Sequence, residues 1–157
     1  MKIKLLCVGK TDDAALQRLI DGYEKRLRFY VNFDMECIPD IKKAKNRSQM
    51  QQKEMEGELI LKKLQPADTL VLLDERGAHY TSAGFSAYLQ KKMNAGLKRL
   101  VFAIGGPYGF SDAVCEQARE KIALSKMTFS HQMIRLFFTE QLYRAFTILK
   151  NEPYHHG

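Results

Sequence analysis

The sequence predicts an α/β protein with a largely parallel sheet flanked by helices, and three observations lead there. Strand-like and helix-like segments alternate along all 157 residues, the pattern of a parallel sheet with helical crossovers. Two short runs, Thr69 to Leu73 (TLVLL) and Arg99 to Ile104 (RLVFAI), are continuously apolar, as strands covered on both faces are. A glycine-rich segment, Gly105 to Gly109 (GGPYG), directly follows the second run. Open α/β sheets bind ligands at such strand ends.

The elements follow in order. Lys2 to Val8 (KIKLLCV) reads as a strand ended by Gly9. Asp12 or Asp13 caps a helix that carries Leu16, Leu19, Ile20, Tyr23, Leu27 and Tyr30 at helical spacing. Asn32 to Ile38 (NFDMECI) alternates as a second strand, stopped by Pro39. Residues 40–47 (DIKKAKNR) are polar and basic and read as an exposed loop. Ser48 to Gln65 reads as a helix ended by Pro66, and Asp74 to Tyr80 (DERGAHY) as a polar loop after the TLVLL strand. Ser82 caps a helix to about Met93; Ser111 or Asp112 caps another to about Lys121. Ile122 to Phe129 (IALSKMTF) is a short strand or loop, His131 to Lys150 a long helix, and residues 151–157 (NEPYHHG) a tail. The long helix has one apolar stripe through Ile134, Phe137, Phe138, Leu142, Ala145 and Leu149 and a second through Leu136, Tyr143 and Phe146. Such a helix is buried on more than one side, in a monomer core or against a second subunit.

Composition bounds the function. Apolar residues are 45% and charged residues 27%, an ordinary globular mix that predicts one domain over 1–157 and excludes a disordered chain. No run approaches the roughly 20 apolar residues of a membrane span, and the apolar stretch Leu5 to Val8 is too short for a signal peptide. A cytoplasmic location is expected. Three cysteines without ligand spacing predict reduced thiols and no metal site. The net charge of +7 points first to nucleic acid as a partner. The basic residues 42–47, Lys91, Lys92, Lys98 and Arg99 are read either as an RNA-facing patch or as solvated surface.

Several residues stand out chemically. GGPYG lets a ligand approach the backbone or simply makes a tight turn. It is neither a dinucleotide fingerprint nor a P-loop, which argues against a nucleotide-dependent oxidoreductase. Asp74, Glu75, Arg76 and Gly77 form a second strand-end loop that either shares a crevice with it or is a solvated turn. Glu140 and Arg144 sit at i, i+4, an ordinary surface pair unless their apolar helix buries them. His131 follows Ser130, a plausible N-cap, where the helix dipole favours a neutral ring. Pro153, Tyr154, His155 and His156 form either a frayed tail or a ring and imidazoles that hold a base and move a proton.

Taken together, KIKLLCVGK, TLVLLDERG, VFAIGGPYGF, ALSKMTFSHQMIR and EQLYRAFTILKNEPYHH resemble, over essentially the whole chain, the RlmH-type 23S rRNA pseudouridine methyltransferases of the SPOUT superfamily. The resemblance implies a C-terminal trefoil knot, a rare feature in proteins. It implies a homodimer and S-adenosyl-L-methionine held by Leu73, Gly105, Leu124, Ser125, Lys126, Met127, Thr128 and Phe129. It further implies methylation at N3 of a pseudouridine in 23S rRNA within the assembled ribosome. Glu140, His131 or His155 would remove the N3 proton, Arg144 would stabilise charge or hold a phosphate, and Tyr154 would orient the base. Two departures are Ser130, where many relatives have proline, and His156 with Gly157, where many end in a basic residue. The competing reading is a non-catalytic ribosome- or RNA-binding factor on the same fold.

Overall fold

The computed structural model describes residues 1–41 and 46–157. Its elements are β1 (Lys2–Val8), α1 (Ala14–Leu27), β2 (Asn32–Ile38), α2 (Gln49–Lys62), β3 (Asp68–His79), α3 (Ser82–Asn94), β4 (Arg99–Ile104), α4 (Asp112–Gln117), β5 (Glu120–Ala123) and α5 (Met133–Leu149). The five strands form one sheet in the order β2-β1-β4-β3-β5, and every pairing is parallel.

The period-2 geometry of a strand divides each apolar run between two cores. Ile3, Leu5 and Cys7 of β1 and Leu100, Phe102 and Ile104 of β4 pack with Leu27 of α1, Phe85 and Leu89 of α3, and Phe138 and Leu142 of α5. The intervening Leu6, Val8, Val101 and Ala103, with Leu70 and Leu72 of β3, pack against Ile60 of α2 and Val114 of α4. The result is three layers, which is why Leu5–Val8, Leu70–Leu72 and Leu100–Ile104 are apolar on both faces of the sheet. Fully burying each such Leu, Ile or Phe contributes about 1.5–3 kcal/mol.

Side-chain caps set the helix starts. Asp13 accepts from the backbone N–H groups of Ala15 and Leu16 at 2.7 and 3.0 Å. Ser48 and Gln51 make a reciprocal capping box. Thr81, one residue before the expected Ser82, caps α3 through the N–H of Gly84 at 3.0 Å. Ser111 caps α4.

Besides the Thr81 cap and the earlier end of α2 at Lys62, where the sequence reading ran the helix to Gln65, four larger features differ from that reading. First, α4 stops at Gln117, because Arg119 N–H donates to the Leu70 carbonyl at 2.9 Å and Glu120–Ala123 join the sheet. Second, DERGAHY is not simply a loop. β3 runs on to His79, with its register on β5 jumping from Leu73 to Ala78, both opposite Ile122. Residues 74–77 bulge outward between them, and Gly77 crosses so close to β5 that a Cβ there would sit 2.5 Å from the Ile122 nitrogen. Third, α5 begins at Met133, whose N–H bonds Ser130 Oγ at 3.0 Å. Fourth, the second apolar stripe of α5 is partly covered by its own chain: Tyr143 packs on Tyr23 and Tyr30, each at 5.9 Å between ring centroids, and Phe146 on Tyr30 at 6.3 Å. Phe146 is thereby buried within the chain, while Tyr143 and Leu136 stay partly exposed.

Candidate active site

A cleft of about 370 Å³ opens beyond the C-terminal ends of β3, β4 and β5. Leu73, Asp74, Glu75 and Arg76 form one wall, Ile104 and the loop Gly105–Phe110 a second, and Leu124, Ser125, Met127, Thr128 and Phe129 a third. His131 and Ile134 close it from the start of α5. The glycine loop is a tight hairpin: Gly109 N–H donates to the Gly106 carbonyl at 3.1 Å, and Gly109 has a positive φ of 80°. A Cβ on Gly105 would lie 3.2 Å from the Gly109 carbonyl group, so a side chain there would press the two limbs of the turn apart. Ser125 Oγ accepts from the N–H of Met127 at 3.0 Å and sets the bend of LSKMTF. Asp74 holds Arg76 by hydrogen bonds at the rim. Burial opposes its ionisation, but these bonds win and keep its carboxyl below the usual range. Gln132 ties the foot of α5 to residues after β1, accepting from Asp12 N–H and donating to the Lys10 carbonyl, both at 3.0 Å.

Two buried groups beside this cleft escaped the sequence reading. Arg135 is completely buried and donates to the Val8 carbonyl at 2.8 Å, the His131 carbonyl at 3.0 Å and Thr11 Oγ1 at 3.1 Å. It locks the start of α5 to the end of β1. Glu56 of α2 is 3% exposed and lies against Gly106. Burial pushes its carboxyl up, Asp40 adds to that, and a hydrogen bond from Gln52 and the charge of His131 oppose it. A lone Glu among charged neighbours on a helix carries no sequence signal of burial. The adjacent Gly57, inside an otherwise good helix, was the available clue.

The tail is not frayed. After α5, Asn151 takes a positive φ of 55° and turns the chain back, and Glu152 accepts a hydrogen bond from Tyr30. Tyr154 then packs edge-on against Tyr143 at 4.8 Å, under the Arg144 guanidinium at 4.7 Å. Glu140 Oε1 accepts from Arg144 Nε at 3.0 Å, Arg144 Nη2 at 2.5 Å and the Tyr154 hydroxyl at 3.0 Å; its Oε2 accepts from Gln141 at 2.9 Å. The Glu140 bond holds Arg144 firmly cationic. Burial, the Tyr23 hydroxyl and Glu140 together push the Tyr154 phenol up, so it remains a hydrogen-bond donor. Arg144 Nη1 lies 3.4 Å from His155 Nδ1. A guanidinium only donates, so Nδ1 is the acceptor and the imidazole proton sits on Nε2.

The structure thus sorts the predicted residues into two groups. Leu73, Gly105, Leu124, Ser125, Met127, Thr128, Phe129 and His131 share the cleft, whereas Lys126 is exposed and does not line it. Glu140, Arg144, Tyr154 and His155 form the second group, with Tyr23, and none of them lines the cleft. The basic patch divides as well. Lys92 is paired with Glu120 and Arg99 with Asp68, and Lys98 and Arg99 stand at the N-terminal strand ends, away from the cleft. Lys42, Lys43 and Lys45 lie outside the described residues. Among the described residues there is no group of three or more His, Cys, Asp and Glu placed to hold a metal ion, and no helix long and apolar enough to cross a membrane.

A family model described as "Predicted SPOUT methyltransferase" matches residues 1–155. The chain belongs to the SPOUT methyltransferase family. Curated relatives named "Ribosomal RNA large subunit methyltransferase H" match it over nearly their whole length. The Flavobacterium johnsoniae protein is 65% identical over 156 residues, 99% of each chain. The Parabacteroides distasonis protein is 65% identical and the Porphyromonas gingivalis protein 59%, over the same 156 residues and 99% of each chain. A SPOUT methyltransferase needs a methyl donor, and a second cavity of about 230 Å³ adjoins the glycine-loop cleft through Ile122, Leu124 and Phe129.

Proposed function

We propose that this SPOUT methyltransferase transfers a methyl group from S-adenosyl-L-methionine to N3 of a pseudouridine in 23S rRNA of the assembled ribosome, as a cytoplasmic homodimer. The observation that carries this reading is the cleft at the ends of β3, β4 and β5, in a chain about two-thirds identical to rRNA methyltransferases. Its volume is within the range for small-ligand sites. The Gly105–Gly106 backbone, with no side chain to intervene, lets a ligand approach the wall of the cleft closely. Leu73, Gly105, Leu124, Ser125, Met127, Thr128 and Phe129 would hold the donor. When bound, it supplies a methyl group already activated by a positively charged sulfur. Lys126 is better placed to meet RNA than donor. We also read the path of the chain after β4 as the trefoil knot of the family.

The remaining chemistry falls to the chain. N3–H of the acceptor is a weakly acidic imide, so the protein must favour the anion that remains when the proton leaves. Arg144 and the Tyr154 hydroxyl are preorganised donors for that anion, aimed by Glu140. Glu140 has donors on both oxygens, which makes it an orienting group rather than the base. His155 presents Nε2–H in this arrangement, so it donates to a carbonyl of the base. It takes up a proton only after its Nδ1 leaves Arg144. His131, at the cleft, is the alternative acceptor for the proton.

Six residues, about 9 Å of helix rise, separate Ile134 at the cleft from Glu140. A homodimer resolves this by setting one protomer's tail against its partner's cleft. The exposed apolar side chains Met127, Phe129, Met133 and Phe137 at the cleft side, and Leu19 and Phe29 beside α1, give such a dimer surface to bury. The test is transfer of labelled methyl to ribosomes lacking the modification, with mass mapping. Label on one pseudouridine is expected; no label, with a proven relative active in parallel, rejects the enzyme. Mixing a Gly105→Val protein with an Arg144→Ala protein should restore part of the activity. No recovery rejects the shared site.

A further inference from the structure

Glu56 is a buried acid for which the proposed chemistry has no use. Its position follows from its neighbour. A Cβ on Gly57 would lie 2.3 Å from Ser111 Oγ and 3.1 Å from Val114, so glycine there lets α2 press against the start of α4. Glu56 is thereby driven under the glycine loop. A Cβ on Gly106 would sit 2.5 Å from its Oε2 and 2.8 Å from its Oε1. Oε1 accepts from Gln52 Nε2 at 3.0 Å, while Oε2 is buried with no hydrogen-bond partner among the described residues. The charged groups that face it are Asp40, after β2, and His131, before α5. Among the described residues no lysine or arginine makes an ion pair with it. Gly106, with no side chain to intervene, lines the donor cleft.

A buried carboxylate with no ion pair among the described residues favours a positive charge brought near it. The donor of the proposed reaction carries that charge on its sulfur, and the demethylated product has a neutral thioether in its place. We infer that Glu56, acting across the Gly106 backbone, makes the cleft prefer the sulfonium donor over its thioether product. This rests on the donor proposed above. Glu56 touches neither reacting atom in this arrangement, so it is a specificity-determining residue and not a catalytic one. Over several ångströms in a partly screened interior, one charge is worth a preference of about tenfold to a hundredfold. The linkage has a definite sign. Cation binding favours ionised Glu56, so donor affinity falls as pH drops through the Glu56 pKa, and donor binding releases a proton there. Product affinity does not follow that curve.

The test is calorimetric titration of the full-length protein with S-adenosylmethionine and, separately, S-adenosylhomocysteine across pH. Glu56→Gln should lower the donor-to-product affinity ratio about tenfold or more, chiefly through the donor, and abolish its pH dependence. An unchanged ratio and pH profile in a folded Glu56→Gln protein overturns the inference alone. A wild-type protein that binds neither ligand overturns the donor assignment and the inference with it. If Glu56→Gln fails to fold, Gln52→Leu decides. It keeps the charge but removes a hydrogen bond that holds the Glu56 pKa down, so the midpoint of donor affinity should move to higher pH with product affinity unmoved. An unmoved midpoint overturns the inference.

Discussion

Replacing Gly106 by alanine tests how tightly the glycine loop is built on α2. The added Cβ would stand 2.5, 2.8 and 2.9 Å from Oε2, Oε1 and Cδ of Glu56, where ordinary contact begins at 3.4 Å. Gly106 is not among the positive-φ glycines, which are Gly9, Gly96 and Gly109, so the backbone tolerates alanine and the whole cost is steric. Relief requires either the carboxylate or the loop to retreat by about 1 Å in a close-packed interior, which costs about 1–3 kcal/mol. Glu56 is 3% exposed and tied to Gln52, so part of the strain passes to the loop and weakens donor binding as well. The assay is urea unfolding of Gly106→Ala, Glu56→Ala and the double variant. The double variant should recover about 1 kcal/mol or more of the alanine penalty, because the clashing atoms are gone. Additivity within about 0.5 kcal/mol would refute the reasoning, since the two residues would then not meet.

Three further outcomes follow from the same structure. Arg135→Met keeps most of the volume but leaves the Val8 and His131 carbonyls without their donor, and thermal or urea unfolding should register a loss of about 3–5 kcal/mol; a loss under 1 kcal/mol would remove Arg135 as the lock between α5 and β1. Tyr154→Phe deletes the hydroxyl that Glu140 accepts, and single-turnover methylation should slow about tenfold to a hundredfold with donor Kd unchanged; a matching loss of donor affinity would place Tyr154 in the donor site instead. Glu36 has its carboxyl held below the usual range by hydrogen bonds from Lys4 and Lys63, each at 2.5 Å, against a smaller opposing effect of burial. A depressed folded pKa means its stabilisation is present above the unfolded value near 4.3 and is lost as pH falls through the folded one. Glu36→Gln should therefore flatten the fall in stability below about pH 4.3, and an unchanged acid limb would show that the pair adds nothing.

The sequence by itself determined what depends on local pattern. KIKLLCV, NFDMECI and RLVFAI are strands at the residues expected, because continuous or alternating apolar runs have one good burial geometry. Helices start close to the polar residues read there, and of the alternatives Asp12 or Asp13 and Ser111 or Asp112 it is Asp13 and Ser111 whose oxygens reach free N–H groups within three residues. The glycine loop was legible as a strand-end loop from its place after RLVFAI, and LSKMTF was joined to it only by the family resemblance; the two wall one cleft. What only the tertiary structure decided involves partners distant in the chain. DERG reads as a loop, yet β5 recruits its flanks into the sheet and leaves Asp74, Glu75 and Arg76 to rim the cleft. For Tyr143 and Phe146 the sequence leaves open a monomer core or a second subunit, and Tyr23 and Tyr30 pack on them within the chain. The tail is ordered by Tyr30, Glu140 and Arg144, none of them its sequence neighbour. Arg135 and Glu56 are charged residues on helices, indistinguishable in sequence from solvated ones. Their burial is set by how closely α5 approaches the end of β1 and α2 approaches α4. Hydrophobic period and capping act over a few residues and are written in order along the chain, whereas the environment of a charge depends on which elements pack around it.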